Sequence, residues 1–358
     1  MSSFHYEIAG CAFDFAPALI HVGFLSCSEE YFVSIPECLP FTGEWGENNS
    51  AYFMDEDSHP LPKGIHIIYL SIIEQNFYIV NSILPVEKLQ MLFNAKDEKT
   101  KLPLYDKIIV GMAPYGLTAL WLSGENKQSL VGIFQGDAIN VDAKQFVPDN
   151  PNATITSICD FYINSNEAAK AYLEENGLPA RDLFDRYMQQ FCYRYLVMFE
   201  RWDEDGQRWV KPELNAEGQP VEGQPLPEFG FIEEALWDGT HDKLHDGGLL
   251  LYHMAGKPKK LAVQWHIKKS QYTAYLWFED EAIRAAFEKF YGAHRDTKVD
   301  LIIRIDPEKN KYELALYRYG LQEPVAISED AYQMIVFKSK FEYYRSENYD
   351  QPRGAWIW

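Results

Sequence analysis

The chain has 358 residues, 47% of them apolar and 15% aromatic, with 53 acidic against 33 basic residues and a formal net charge of −20. That apolar content excludes a disordered chain, and the charge argues against a phosphate-backbone binder, so no nucleic-acid partner is expected. No apolar run approaches the roughly 18 residues of a membrane span, and at roughly 150 residues per domain the length predicts about two domains.

The opening residues, Met1 to Glu7, carry neither a basic nor an apolar segment, so no secretory signal is expected and the chain as written reads as cytoplasmic. Ile8-Ala9-Gly10-Cys11 has the form of a lipoprotein cleavage box, but too little precedes it; the expectation for Cys11 is a buried strand cysteine. Five cysteines (Cys11, Cys27, Cys38, Cys159, Cys192) form neither an even set nor a metal-like spacing, which predicts free thiols in a reducing compartment. A Cys27–Cys38 bridge stays open for an exported chain.

The first clear elements are residues 65–73, apolar and β-branched, a turn at Glu74 to Asn76, and 77–84, which together predict a hairpin. Pro85 then opens a helix with Val86, Leu89 and Phe93 at helical spacing. Strands are predicted at 107–112, 117–122 and 130–134, the first two joined by a turn at Pro114-Tyr115-Gly116. The order is β-β-α-β-β-β.

That order recurs in the second half. Residues 261–267 and 272–278 predict a hairpin, a helix follows with Ile283, Phe287 and Phe290 on one face, and strands are predicted at 301–305, 312–319 and 324–327. Matching points lie at near-constant offsets: 195 from Val86 to Glu281, 193 from Lys107 to Asp300, 195 from Gly116 to Lys311. Six elements in one order at one spacing predict an internal duplication.

Between the halves, 166–176 predicts a helix stopped by Gly177, and 180–199 a second helix that changes to strand near Tyr193. Arg201 to Arg208 reads as a hairpin turning at Asp205-Gly206. From Asp203 to Asp246 there are 12 acidic and 3 basic residues, so nearly half the net charge lies in 44 residues. Pro212, Pro220, Pro225 and Pro227 oppose regular structure across 212–228. The acidity reads either as a solvated loop or as a docking surface for a basic partner. The whole pattern predicts an α+β protein: two related β-β-α-β-β-β halves (1–140 and 256–358) with mainly antiparallel sheets, plus a helical and irregular acidic insertion (141–255).

Chemistry is sparse. No Gly-rich phosphate loop and no G-x-S-x-G elbow are present. Cys27 has His21 near it in sequence, which does not build a catalytic pair. The most metal-like cluster is Asp238 to Gly248, where His241 and His245 are four apart; they would share a face on a helix, although Gly239, Gly247 and Gly248 oppose one. An acidic turn is the alternative. Carboxylate pairs such as Glu233-Glu234 are too common here to mark an acid–base site. The chain closes on Trp356, Ile357 and Trp358, which read as a plug for a groove of its own or as a partner anchor.

Several strings together resemble a bacterial family known as domain of unknown function 2931: LPKGI at 61–65, IIVGMAPYG at 108–116, ALWL at 119–122, DGT at 238–240 and the closing RSENYDQPRGAWIW. The resemblance runs from about residue 60 to the end. It implies no catalytic residues. Members often look like lipoproteins and are often encoded beside type VI secretion effectors, including phospholipase-type toxins. The resemblance therefore implies an immunity protein that binds and neutralises a secreted effector, a lipase among them. This chain departs from the lipoprotein pattern, which puts a periplasmic site of action in doubt. The expectation is a non-enzymatic inhibitor with no cofactor, whose partner contacts lie at Asp203, Glu204, Asp205, Glu233, Glu234, Trp237, Asp238, Trp356 and Trp358. An adaptor that carries the effector, and an enzyme using His241 and His245, are the alternatives.

Overall fold

The computed structural model describes residues 3–35, 43–47, 58–97, 100–150, 152–211, 227–245, 249–306 and 311–340. In chain order the first half holds β1 (Ser3–His5), β2 (Glu7–Cys11), β3 (Ala18–Ser26), β4 (Phe32–Ser34), β5 (Ser58–Pro60), β6 (Gly64–Ser71) and β7 (Asn76–Ile83). It continues with α1 (Val86–Phe93), β8 (Lys107–Met112), β9 (Leu117–Ser123), β10 (Gln128–Gln135) and β11 (Asp137–Ile139). Four helices follow: α2 (Ala143–Phe146), α3 (Ile155–Ser165), α4 (Glu167–Asn176) and α5 (Arg181–Tyr187). The second half holds β12 (Gln190–Phe199), β13 (Arg201–Asp203), β14 (Arg208–Val210), β15 (Glu228–Leu236), β16 (His241–Leu244), β17 (His253–Gly256), β18 (Pro258–Ile267) and β19 (Ser270–Phe278). It closes with α6 (Asp280–Tyr291), β20 (Val299–Asp306), β21 (Lys311–Tyr317), β22 (Val325–Ala326) and β23 (Tyr332–Lys340).

The fold is α+β with mainly antiparallel sheets, and all three predicted hairpins and all four predicted helices are present. Alternation explains the strands. In β6, Ile65, Ile67 and Tyr69 face inward and are buried, and β20 buries nearly every residue because both its faces are covered. In α6, Ile283, Phe287 and Tyr291 form the buried stripe, one turn apart, with Asp280 and Glu281 in the first turn and Gly292 ending the helix at φ +57°. Tyr291, rather than Phe290, completes the stripe.

The duplication extends beyond the six repeated elements. In the first half one sheet runs β4-β3-β6-β7-β11; in the second, β16-β15-β18-β19-β23 has the same order. The opposing sheets are β2-β8-β9-β10 and β12-β20-β21-β22, the latter with β17 added outside β12. In both, the strand that opens the half lies parallel to the strand after the helix: β2 on β8, and β12 on β20. Each half is thus a two-sheet sandwich around its own core, with Leu89 and Phe93 of α1 in one and Ile283 and Phe287 of α6 in the other. Strands β12, β15 and β16, which fall in the segment read as an insertion, hydrogen-bond into the second sandwich.

The halves join through one strand pair. β10, at the edge of the first half, pairs with β16 of the second at Gln128 and His241, which makes a continuous nine-stranded sheet. The helices between the halves cover the outer faces of the first. Phe146, Ile155, Ile158 and Cys159 lie over Leu19, Leu70 and Phe77, while Phe184 and Met188 pack with Trp45 and Trp121 on the other side.

Candidate functional site

The strand join is where the DGT string lies. Trp237 to Thr240 form the turn between β15 and β16, closed by the Leu236 amide donating to the Thr240 carbonyl at 2.8 Å. The Asp238 carboxylate is fully buried and accepts from the Thr240 amide at 3.0 Å, the Thr240 hydroxyl at 2.6 Å and the Gln190 side-chain amide at 3.1 Å. An aspartate bonding its own backbone two residues on is the chemistry of an Asx turn. Gly239 sits at φ +81°, and a Cβ there would lie 2.9 Å from the Trp121 ring. Gly46, at φ +82°, meets it from the opposite side: a Cβ on Gly46 would lie 2.7 Å from the Gly239 Cα. Gln128 clasps the two by donating from Nε2 to the carbonyls of Gly46 (2.6 Å) and Gly239 (2.5 Å), and the Trp121 indole donates to the Asp238 carbonyl at 3.0 Å.

Above this clasp opens a cleft of about 370 Å³. Its wall carries Glu234, which lies on the inward face of β15 between buried Ile232 and Leu236. Burial pushes the Glu234 carboxyl up to about 8; the Tyr195 hydroxyl, donating at 2.6 Å, works against that, while the charges of Asp242 and Asp238 add to it. Glu234 is therefore a neutral acid across most of the physiological range. The charged groups around it are paired: Lys127 with Asp242 at 2.6 Å, Lys243 with Glu233 at 2.7 Å, and Lys259 and Lys260 with Glu44. Burial raises the Glu44 carboxyl, but the Lys259 hydrogen bond and the two lysine charges prevail and hold it below the usual range.

The predicted site residues are scattered. Glu233, Glu234 and His241 line the cleft, and Asp238 lies buried beneath it. Both the Glu234 and Asp238 carboxylates are buried and hydrogen-bonded inside the fold. Trp237 is half-buried, stacked on Tyr187 with centroids 5.3 Å apart and Lys259 above its ring. His241 opens β16 and His245 follows its last residue, so strand rise sets them about 13 Å apart, too far to share an ion. Burial lowers the His241 imidazole, which keeps it neutral. No group of three or more metal-ligating side chains occurs among the described residues. Trp356 and Trp358, like Cys38, most of the proline-rich stretch and Asp246 to Gly248, lie outside the described residues.

Among the described residues, Cys11, Cys27, Cys159 and Cys192 are free thiols. Cys11 is a buried β2 residue whose thiol burial pushes up to about 12. Cys27 lies 3.8 Å from the Tyr6 hydroxyl, and burial raises its thiol too, the opposite of what a nucleophile needs.

Asp203, Glu204 and Asp205 belong to a second feature. They form the tip of the β13–β14 hairpin, where Trp202 pairs with Trp209, rings crossed at 66° and 5.3 Å apart. Buried Asp306 accepts the Trp202 amide at 2.7 Å, and Lys311 stands over the Trp202 ring, so the hairpin is tied to β20 and β21. Glu204 and Asp205 are exposed.

Several participants carried little sequence signal. Glu44, Trp45, Gly46 and Gln128 come from loops and an edge strand far from DGT in the chain. Glu234 did carry one: the alternation Ile232, Glu234, Leu236 places it on the apolar face of a strand.

Residues 22–180 match the family model described as Protein of unknown function (DUF2931). The strings at 61–65, 108–116 and 119–122 lie inside that match, and DGT and the closing string lie beyond it. Neither the curated proteins nor the solved structures yield a match. No described helix is long and apolar enough to cross a membrane.

Proposed function

We propose that this protein is a non-enzymatic immunity protein that binds and neutralises a secreted antibacterial effector with a basic docking surface. The observation that carries the reading is the acidic tip of the β13–β14 hairpin. Its two tryptophans and the Asp306 anchor hold Glu204 and Asp205 outward on a preorganised turn. Preorganisation lowers the ordering cost of association, and one-sign charge speeds encounter and disfavours wrong partners. The net charge of −20 adds a long-range field of the same sign. The resemblance drawn from LPKGI, IIVGMAPYG and DGT adds the context of type VI effectors, with a phospholipase or lipase as the class to try first. Four free thiols fit a reducing compartment, so the reading places the protein in the cytoplasm.

The test is a pull-down with the product of the adjacent gene, followed by that product's toxicity and lipase activity with and without this protein. Tight binding with activity lost is the expected result. Binding with activity retained would make the protein an adaptor, and no binding would overturn the reading.

A further inference from the structure

One inward-facing aromatic pair differs between the duplicated halves in its hydrogen bonding. In the first half Tyr69 and Tyr78 stand opposite each other across β6 and β7, with rings 5.8 Å apart. Both hydroxyls are engaged: Tyr69 donates to the Ala113 carbonyl at 2.6 Å, in the turn between β8 and β9, and Tyr78 to Glu74 at 2.8 Å. The corresponding pair in the second half is Trp265 and Tyr272, opposite across β18 and β19 and stacked at 5.6 Å. Trp265 is 1% exposed, and its indole N–H has no acceptor among the described residues. Beside Trp265 a cavity of about 260 Å³ opens between strands of the two sheets.

The cavity has the make-up of a small-ligand site. Trp265, Tyr272 and Val336 supply apolar wall, and Lys311, Lys338 and Asp306 supply charge. Asp306 is buried and already holds the Trp202 amide. Lys338 stands 5.3 Å from the Tyr272 ring centre, and Lys311 stands over the Trp202 ring with a loose contact to exposed Glu329 at 3.9 Å. Among the described lining residues, two lysines stand against one aspartate. A buried donor without an acceptor carries a desolvation penalty that an arriving acceptor removes. The volume lies below the range of drug-sized ligand pockets, so the occupant is small.

We propose that this cavity binds a small organic monocarboxylate with an apolar body, its carboxylate placed between Lys311 and Lys338 and accepting the Trp265 indole N–H. The inference does not depend on the immunity reading, because it concerns the protein without a partner.

The test uses the full chain with sodium octanoate and sodium benzoate as probes and octanol as the uncharged control, read by calorimetry and tryptophan fluorescence. At least one carboxylate should bind saturably, raise the melting temperature, and bind at least tenfold more tightly than octanol. Lys338→Glu, at an exposed position that leaves folding intact, should weaken binding at least tenfold. Trp265→Phe, which keeps the ring and removes the donor, should weaken it several-fold. Absence of saturable binding by both carboxylates overturns the proposal. So does binding that Lys338→Glu leaves unchanged, which would place the probe elsewhere.

Discussion

The Tyr195 hydroxyl donates to the Glu234 carboxyl at 2.6 Å inside the second sandwich, and burial there outweighs both that bond and the charge of Lys127, which act to lower the acid's pKa. Its folded value, about 8, stands above the ordinary 4.5. The unfolded chain therefore releases the proton first as pH rises. Stability from this group is fully present below pH 4.5 and is lost progressively up to about 8. Glu234→Gln keeps the acceptor for Tyr195 and removes the titration. The variant should match the parent near pH 4.5 and exceed it by roughly 3 kcal/mol at pH 7. Urea unfolding at the two pH values checks this; a gap independent of pH would show that Glu234 is not held neutral.

Gly239 and Gly177 make a matched pair for backbone strain. Both have positive φ, +81° and +69°, but a Cβ at Gly239 meets Trp121 and Gly46, whereas one at Gly177 meets nothing within 4 Å. Gly177, at φ +69° and ψ −157°, occupies a region that only glycine readily adopts, so Gly177→Ala should cost about 1–3 kcal/mol from backbone strain alone. Gly239→Ala should cost at least about 2 kcal/mol more, because the glycine contact at the strand join must open. Equal costs would mean that the join yields easily.

The acidic hairpin should govern association rather than folding. Glu204 and Asp205 are exposed, so charge reversal of both should leave the melting temperature within a degree or two. With the effector it should slow association about tenfold at low salt and by much less at 0.5 M salt, since exposed charges are screened. Stopped-flow mixing across a salt series measures both. A salt-independent rate would remove the hairpin from the interface.

Thiol reactivity should follow burial. Burial pushes Cys11 and Cys159 up to about 12, while Cys192 is half-buried and also raised. A thiol reagent at pH 8 should label Cys192 well before Cys11 or Cys159, and those two should react only in denaturant. Peptide mapping by mass spectrometry gives the order.

Much of the fold was legible because its signals are local. The hairpin at Glu74 to Asn76, the α1 stripe of Leu89 and Phe93, and the helix-to-strand change expected near Tyr193 and found between Tyr187 and Gln190 each sit within a dozen residues of their own cause. β3 was not legible: its partner β6 lies beyond a long connection, and no tight turn marks the pairing. β15 and β16 were masked by acidity, since Glu233, Glu234 and Asp242 look like loop residues until the sheet places each on a face.

By itself the sequence determined the α+β class, the repeated order of elements and the acidic character, because periodicity, turn chemistry and charge are properties of neighbouring residues. Only the tertiary structure decided that β10 pairs with β16, that Gly46 meets Gly239 and that Asp238 is buried. Those outcomes rest on contacts between residues a hundred or more positions apart, such as Gln128 with Gly239 and Trp121 with Asp238. Their energy comes from desolvation and close packing at a junction that exists only once both sandwiches have formed.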